Sequence, residues 1–423
     1  MKILYVVHAS PYDEFSGAPL IAKQYALKSL ERGCEVCIIT PTFENIDFRR
    51  QTPKNINNIF FLKWPAIKNW SLDAFVSDSL NKKELFGIPF SPDLIHILDW
   101  VSFCPSVLNA LKQFNKPIIK HILNFEDFCY FISPIYYNNS GEHCVAPLTA
   151  EQCANCIGQN IFKNSKFLKK IKFFFTKENL KNFNLSKKKL LGRNELIRIQ
   201  TKKFYDHLIF PSETFAQYYL SHLGNKKNYS IIPLGININK KILIKKNNYP
   251  LKFIYTGGSS TRKGWTIIEN TFEKILKNFP NKICLRIYGH KKKIKKSKLN
   301  KYSEVEFFDN FNPDDLEKTF SWADFGVAPT FFESYCRIVR EYINCGVVPI
   351  STNAFGIPDI ITNYKNGILI NKPFSENLIL TIEKIINQPE ILFNLQKGLK
   401  NTKIISEDDE YNQIYKLYKN YVL

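Results

Sequence analysis

LKFIYTGGSSTRKG, residues 251–264, decides the fold. Its first seven residues form an apolar, aromatic and β-branched run that reads as a strand. Gly257, Gly258 and Gly264 then fall within eight positions of a chain that holds only 17 glycines. Residues 265–278 carry apolar side chains at helical spacing, so the stretch is a strand-to-helix turn. A turn of this kind brings backbone N–H groups close to a phosphate at a helix N-terminus, where the helix dipole also favours an anion. Arg262 and Lys263 add two cations inside it. Phosphate binding is the reading, weighed against a merely tight turn. The chain has neither the G-x-G-x-x-G of a dinucleotide fold nor the G-x-x-x-x-G-K-[ST] of a P-loop.

Outward from this turn, short apolar runs alternate with helix-period segments on both sides, the pattern of parallel sheets with crossover helices. Upstream lie KILYVVH (2–8), EVCIIT (35–40), IFFL (59–62), DLIHIL (93–98), PIIKHIL (117–123) and HLIF (207–210). Downstream the pattern restarts with 251–257, ICLRIYG (283–289), VEFF (305–308), DFGVAPT (324–330) and VVPIST (347–352). The fold class is therefore α/β, two Rossmann-like domains in tandem, with their boundary in 232–250. From about Ser375 the chain ends in helices. In the first turn of the first half, EFSGAP (14–19) has residues small enough at Ser16, Gly17 and Ala18 to admit a ligand against the backbone.

PTFFESYCRIVREYINCG (329–346) places Glu333 and Glu341 eight residues apart in a chain whose 59 Lys and Arg outnumber its 38 Asp and Glu. Glu333 falls in the turn after a strand, at the carboxyl edge where open α/β sheets bind ligands, and Glu341 in the following helix. Eight helical residues span about 12 Å, a separation suited to one extended ligand rather than one reacting atom. A glycosidase-type acid pair is the rival, ranked low because nothing nearby supplies an apolar pocket for a raised carboxyl pKa. The bland alternative is that the two glutamates pair with Arg337 and Arg340, which costs little at a surface.

The segment from Glu333 through NCGVVPISTNAFGIPDIITNYKNGILI resembles the E-x7-E signature of family 4 glycosyltransferases, retaining enzymes of GT-B fold. The likeness extends over nearly the whole chain, through the first strand with SGAP, PDLIHIL (92–98), DHLIFPSE (206–213), IIPLGIN (231–237), the glycine-rich turn and ADFGVAPTFFES (323–334). The resemblance implies an acceptor-binding domain over 1–238 and a nucleotide-sugar donor domain over 239–405, facing each other across a cleft. A C-terminal helix, 406–423, would cross back to the first domain. It implies that Glu333 binds sugar hydroxyls, that Glu341 binds the ribose, and that Lys263 with Arg262 neutralises the diphosphate. Gly17, Gly257, Gly258 and the backbone around Tyr335, Cys336, Arg337 and Ile338 would complete the donor site. A nucleotide-diphosphate sugar is then the substrate, no cofactor is required for catalysis, and the acceptor is a glycan or lipid-linked glycan of cell-surface polysaccharide, lipopolysaccharide or capsule.

Three departures stand out against the family pattern. An Arg usual just after the strand is replaced by Gly258 or Ser259, and Arg262 is taken to substitute. Where E-G-F-G is usual the chain has Glu333-Ser-Tyr-Cys336, so Cys336 must adopt a backbone geometry suited to glycine. The usual His-Asp is replaced by NFEDFC (124–129), leaving Asn124, Glu126 and Asp127 as acceptor-side candidates.

Cys129, Cys144, Cys153 and Cys156 are spaced C-x14-C-x8-C-x2-C within an insertion at 124–160. Four thiolates of this kind suit a structural Zn²⁺, although the second C-x2-C of a regular site is missing. Cys34 and Cys37 read as core or strand residues. From 161 to 195 eleven Lys and Arg stand against two Glu, interleaved with phenylalanines. That composition fits docking on anionic lipid, or equally a helical region with solvated lysines. HKKKIKKSKLNK (290–301) reads as an exposed loop.

The net charge of +21 favours anionic partners, while no nucleic-acid-binding pattern accompanies it. No run approaches the roughly 20 apolar residues of a membrane span. MKILYVVHAS reads as a first strand rather than a leader, so the expected setting is cytoplasmic, peripheral to the membrane, with reduced cysteines. The competing class is a non-catalytic GT-B scaffold that binds anionic lipid or nucleic acid.

Overall fold

The protein's structure, a computed structural model, describes residues 1–12, 17–42, 44, 52–65, 87–100, 103, 106–129, 144, 152, 203–223, 228–238, 249–289, 291–294, 296–311 and 315–422. Cys153, Cys156 and the basic segment 161–195 lie outside them. The chain divides into two compact units. One comprises Met1–Pro211, Ala216–Ile232 and Tyr411–Leu423, the other Ser212–Phe215 and Pro233–Glu410.

The first unit is built on β1 (Lys2–Val6), α1 (Gly17–Glu31), β2 (Glu35–Thr42), β3 (Lys54–Ile56), β4 (Ile59–Pro65), β5 (Leu94–Ile97), α2 (Ser106–Lys112), β6 (Ile118–His121), β7 (His207–Phe210), α3 (Glu213–Leu223) and β8 (Tyr229–Ile231). Its sheet runs β3-β4-β2-β1-β5-β6-β7-β8. All its pairings are parallel except β3 with β4, at the edge. Strands β5, β6 and β7 are buried at every residue, as expected of strands covered on both faces. Their sequences LIHI, IIKH and HLIF nonetheless carry His96, Lys120, His121 and His207 inward. These polar groups have partners or are held neutral, because an unpaired buried charge is costly.

The second unit comprises β9 (Leu251–Tyr255), a 3-10 turn (Thr261–Lys263), α4 (Trp265–Asn278), β10 (Ile283–Tyr288), α5 (Lys291–Ile294), a second 3-10 turn (Lys298–Lys301), β11 (Val305–Phe308), α6 (Leu316–Phe320), β12 (Phe325–Ala328), α7 (Arg337–Asn344), β13 (Val348–Thr352), β14 (Ile368–Ile370), α8 (Ser375–Asn387) and α9 (Glu390–Lys400). The sheet runs β11-β10-β9-β12-β13-β14, all parallel. Its core joins Phe253, Leu285, Ile287 and Ile350 to Ile268, Phe272, Ile275, Leu378, Ile382 and Leu395 from the helices. The expectation of an exposed loop over 290–301 is corrected: its described part is α5 and the second 3-10 turn. Ile294 and Leu299, fully buried, anchor that run among its exposed lysines.

The last helix, α10 (Glu407–Val422), opens with Glu407, Asp408, Asp409 and Glu410, acids that complement its dipole. Ser406 caps it, accepting from the Asp409 N–H at 3.0 Å and donating to the Asp409 carboxylate at 2.7 Å. From Tyr411 onward α10 belongs to the first unit. There Tyr411 and Tyr418 are buried against Ser29, Tyr5 and His96.

Candidate functional site

In an open parallel sheet the ligand crevice lies beyond the carboxyl ends of two neighbouring strands whose connections leave in opposite directions. In the second unit these strands are β9 and β12: the chain moves from β9 outward through β10 to β11, then returns to the other side of β9 as β12. The glycine-rich turn follows β9, and Glu333 follows β12. The sheet order therefore places both sequence candidates at one switch point.

The two loops are fastened to each other. The Phe331 N–H donates to the Arg262 carbonyl at 3.0 Å, and the Thr330 hydroxyl donates to the same oxygen at 3.2 Å. Gly264 sits at φ +84°, and a Cβ there would stand 2.2 Å from the Pro329 carbonyl oxygen. Only glycine allows that approach, and its position as N-cap of α4 fixes where the helix begins. The sequence placed α4 directly behind the turn. Between them lies the 3-10 turn that carries Arg262 and Lys263. Gly257 and Gly258 lead into it, Gly258 at φ +58° with its N–H on the Tyr288 carbonyl at 3.2 Å.

Lys263 reaches across to Glu333, and the two side chains form an ion pair between Nζ and Oε1. Lys263 is 36% exposed and Glu333 16%. Burial pulls the ammonium pKa down, but the Glu333 carboxylate beside it more than compensates, so Lys263 is held above its ordinary value and stays charged. The second glutamate has a different partner. Glu341 accepts from Arg337 Nε at 3.0 Å, one helical turn away on α7, and Arg337 also donates to Glu407 at 3.2 Å. Burial raises the Glu341 pKa, opposed by the Arg337 charge. The alternative in which the acids pair with Arg337 and Arg340 thus holds for Glu341 alone.

Arg340 does something the sequence did not disclose. It is 3% exposed and donates to the carbonyls of Tyr335, of Cys336 at 3.4 Å and of Gly356 at 3.2 Å. Its guanidinium also lies 3.3 Å over the Tyr335 ring. The Glu333 carbonyl accepts from the Gly356 N–H at 3.3 Å and the Ser334 carbonyl from the Ser212 hydroxyl at 2.8 Å. All four carbonyls from Glu333 to Cys336 are thereby committed to protein donors. The loop is rigid where α7 begins, and the first turn of an α-helix presents N–H groups and the positive dipole end. Cys336, the N-cap of α7, has φ +58° and ψ +66°, the left-handed geometry expected where the family has glycine. Its thiol is buried and pushed up to about 12, by burial first and by Glu333 second. Ile338, half-buried, packs against the same core.

The acceptor-side candidates lie in the first unit, beyond the carboxyl end of β6. Glu126 and Asp127 are each 1% exposed. Glu126 pairs with Lys120 and accepts from the Trp100 N–H at 3.2 Å. Asp127 accepts from Trp100 Nε1 at 3.1 Å and from the Tyr219 hydroxyl at 2.6 Å. Burial raises the Glu126 pKa, opposed by Lys120. The Asn124 side chain accepts from the Glu126 N–H at 2.8 Å. These three residues brace their own loop and the segment at Trp100. Gly17 opens α1 at φ +60°, exposed, with nothing within 4 Å of where a Cβ would stand.

Cys129 and Cys144 are half-buried, and the Tyr218 hydroxyl donates to the Cys144 carbonyl at 2.5 Å. Among the described residues no group of three His, Cys, Asp or Glu is arranged to hold a metal ion. The other two cysteines of the zinc expectation fall outside those residues. Cys34 and Cys37 are buried, Cys37 within β2. No helix among the described residues is long and apolar enough to cross a membrane.

Residues 237–406 match the family described as glycosyl transferases group 1. An uncharacterized glycosyltransferase of Methanocaldococcus jannaschii is 24% identical over 200 residues, 46% of this chain and 55% of that protein, so the match spans about half the relative's length. Among solved structures, WaaG, a glycosyltransferase involved in lipopolysaccharide biosynthesis, superposes with a TM-score of 0.61 at 15% identity, covering 99% of both chains. Anabaena HepE in complex with UDP and glucose superposes with a TM-score of 0.60 at 14% identity, covering 99% of both chains. The architecture is GT-B.

Proposed function

With residues 237–406 those of a glycosyl transferases group 1 domain in a chain of GT-B fold, we propose that the protein is a retaining glycosyltransferase. It moves a sugar from a nucleotide-diphosphate donor to a glycan acceptor in the assembly of cell-surface polysaccharide or lipopolysaccharide, working peripherally at an anionic cytoplasmic membrane face. Residues 239–405 take the donor, residues 1–238 the acceptor, and 406–423 form the helix returning to the first part. The observation that carries this reading is the convergence of Lys263, Glu333 and the start of α7 on the switch point between β9 and β12.

In this reading the diphosphate lies against Lys263, Arg262, Gly257, Gly258 and the amides at the start of α7, from Tyr335 to Ile338. Glu341, fixed by Arg337, accepts from the ribose hydroxyls. Glu333 accepts from hydroxyls of the transferred sugar, and its pairing with Lys263 keeps both groups oriented before the donor arrives. Gly17, exposed and open, admits substrate to the first unit. In the reaction the bond between the anomeric carbon and the diphosphate oxygen breaks and a bond to the acceptor oxygen forms. The acceptor proton passes to the leaving phosphate on the same face. The protein's work is to stabilise the charge that develops on that phosphate, and cations held in place beforehand do so without reorganising. Lys263 and Arg262 supply that charge by a metal-independent route.

A thermal-shift screen against UDP, GDP, ADP and CMP, each with its common sugars, tests the reading. Selective stabilisation by one nucleoside diphosphate, abolished in Glu341→Ala, is the expected result. No stabilisation by any of them, with tight binding to anionic vesicles, would replace the enzyme with a scaffold.

A further inference from the structure

Arg337 stands at the first residue of α7, where the positive end of the helix dipole disfavours a cation. Two carboxylates offset that cost. Its Nε donates to Glu341 Oε1 at 3.0 Å, and its Nη2 donates to Glu407 Oε1 at 3.2 Å. The side chains of Arg337, Glu341 and Glu407 are 29%, 14% and 31% exposed, so the three charges meet partly out of water. Among the described residues Arg337 is the only hydrogen-bond donor to the Glu341 carboxylate. Two acids share one cation, and a change at either one is felt at the other.

Glu407 opens α10, one residue beyond the segment 237–406 that matches the family. Its place is fixed by backbone contacts. The Ile236 N–H donates to the Ile405 carbonyl at 3.1 Å, and the Gly235 N–H donates to the Glu410 carboxylate at 2.8 Å. A Cβ on Gly235 would stand 2.3 Å from the Ser406 carbonyl oxygen, so only glycine lets these two segments lie backbone against backbone. At the far end of α7, Asn344 Nδ2 donates to the Asn237 carbonyl at 3.1 Å. The helix that carries Glu341 is thus fastened at its start to the first turn of α10 and at its end to the strand-like segment beside that turn. All of these contacts lie within the second unit, and from Tyr411 onward α10 belongs to the first. Three charges face Glu341: Arg337 and Lys263 favour its ionised form, whereas Glu407 opposes it. What Glu407 contributes is therefore its hold on Arg337.

We propose that Glu407 is a positioning residue of the donor site, holding Arg337 against Glu341 and so fixing the carboxylate that receives the ribose hydroxyls. It touches no ligand. The inference rests on the donor reading above for what Glu341 binds, and adds that a residue of the last helix governs the ribose end. Linkage makes the effect reciprocal: a nucleoside on Glu341 must steady the first turn of α10 by the same factor that Glu407 lends to its binding.

The test uses the full chain, with uridine, guanosine and adenosine and their diphosphates as probes in calorimetry. Glu407→Met should weaken the nucleoside and its diphosphate by the same factor, about tenfold, because only the ribose end is disturbed. Glu407→Gln keeps an acceptor oxygen for Arg337 and should recover most of that loss. Adding Glu407→Met to Glu341→Gln should cost no more than Glu341→Gln alone, since the two act through one contact. In the unsubstituted chain, hydrogen exchange of peptides covering 404–411 should slow when the nucleoside binds, and in Arg337→Met that response should disappear. This last readout needs no Glu407 variant to fold. A folded Glu407→Met with undiminished nucleoside affinity, losses that simply add in the double variant, or exchange over 404–411 that ignores the nucleoside would overturn the inference and leave the donor reading standing. Undiminished binding of both ligands in Glu341→Gln, or no binding of any probe by the unsubstituted chain, would overturn the donor reading and this inference together.

Discussion

Lowering the pH should loosen the first unit well before ordinary carboxylates titrate, and a single ring substitution should prevent much of the loss. His96 and His121 stack within the sheet, ring centroids 5.8 Å apart and planes 7° from parallel. Tyr25 lies against both rings, and Tyr5 and Tyr418 lie against His96. His96 Nδ1 meets the Tyr418 hydroxyl at 2.5 Å. The other three ring nitrogens are buried with no hydrogen-bond partner among the described residues. Burial, with the Lys120 charge second, pushes the His121 pKa down to about 3, and burial with His121 pushes His96 down as well. A base whose folded pKa is depressed stabilises the fold above its unfolded value of about 6.5 and loses that contribution as pH falls below it. For His121 the loss between about pH 7 and about pH 4.5 is about 2.5 kcal/mol, a large share of a typical domain's stability. Glu126, whose pKa is raised, titrates with the opposite sign, so the difference between two proteins is cleaner than one curve.

His121→Phe keeps the stacked ring and gives up no hydrogen bond made within the described residues. At about pH 7 it should match the wild type within about 1 kcal/mol. At about pH 4.5 it should be more stable by about 2 kcal/mol or more. Hydrogen exchange of peptides from β5, β6 and Tyr411–Val422, measured across pH, reads this locally. Parallel pH dependences in the two proteins would refute the buried neutral histidine as the cause.

Arg340→Met removes the donor to the carbonyls of Tyr335, Cys336 and Gly356 and should cost about 3 kcal/mol in urea unfolding of the second unit. A variant as stable as the wild type would show the loop holds itself. Gly264→Ala drives a Cβ against the Pro329 carbonyl and should destabilise by about 2 kcal/mol or more while weakening nucleoside-diphosphate binding. Unchanged stability and affinity would mean the two loops need not touch. Cys336, with its thiol pushed up to about 12 and buried, should resist iodoacetamide in the native protein and react only after unfolding, as mass spectrometry of the labelled peptide will show.

The sequence carried the periodicity of both sheets because strands buried on two faces are nearly continuous apolar runs, as at 94–97 and 207–210. It also carried the strained position at Cys336, since a missing glycine in a known turn is visible as a letter. It could not carry the partners. Lys263 and Glu333 are 70 residues apart, and His8 and Asp99 are 91 apart, so their pairing depends on sheet order, which no local pattern contains. Arg340 looked like a surface arginine beside a glutamate because helical spacing does not reveal that its side chain turns inward. Glu126 and Asp127 looked available for the same reason; burial converts acids in a motif into braces for Trp100 and Tyr219. The excursion of Ser212–Phe215 into the second unit rests on contacts such as Ser212 with Ser334, which composition cannot foretell.

In the proposed site one donor spans the second unit's switch point, with its diphosphate on Lys263 and its ribose on Glu341. Calorimetry of the nucleoside and its diphosphate against wild type, Lys263→Met and Glu341→Gln tests it most directly. Lys263→Met should lose about tenfold or more in affinity for the diphosphate and none for the nucleoside, whereas Glu341→Gln should lose affinity for both. Equal losses for the two ligands in Lys263→Met, or undiminished binding in Glu341→Gln, would contradict it.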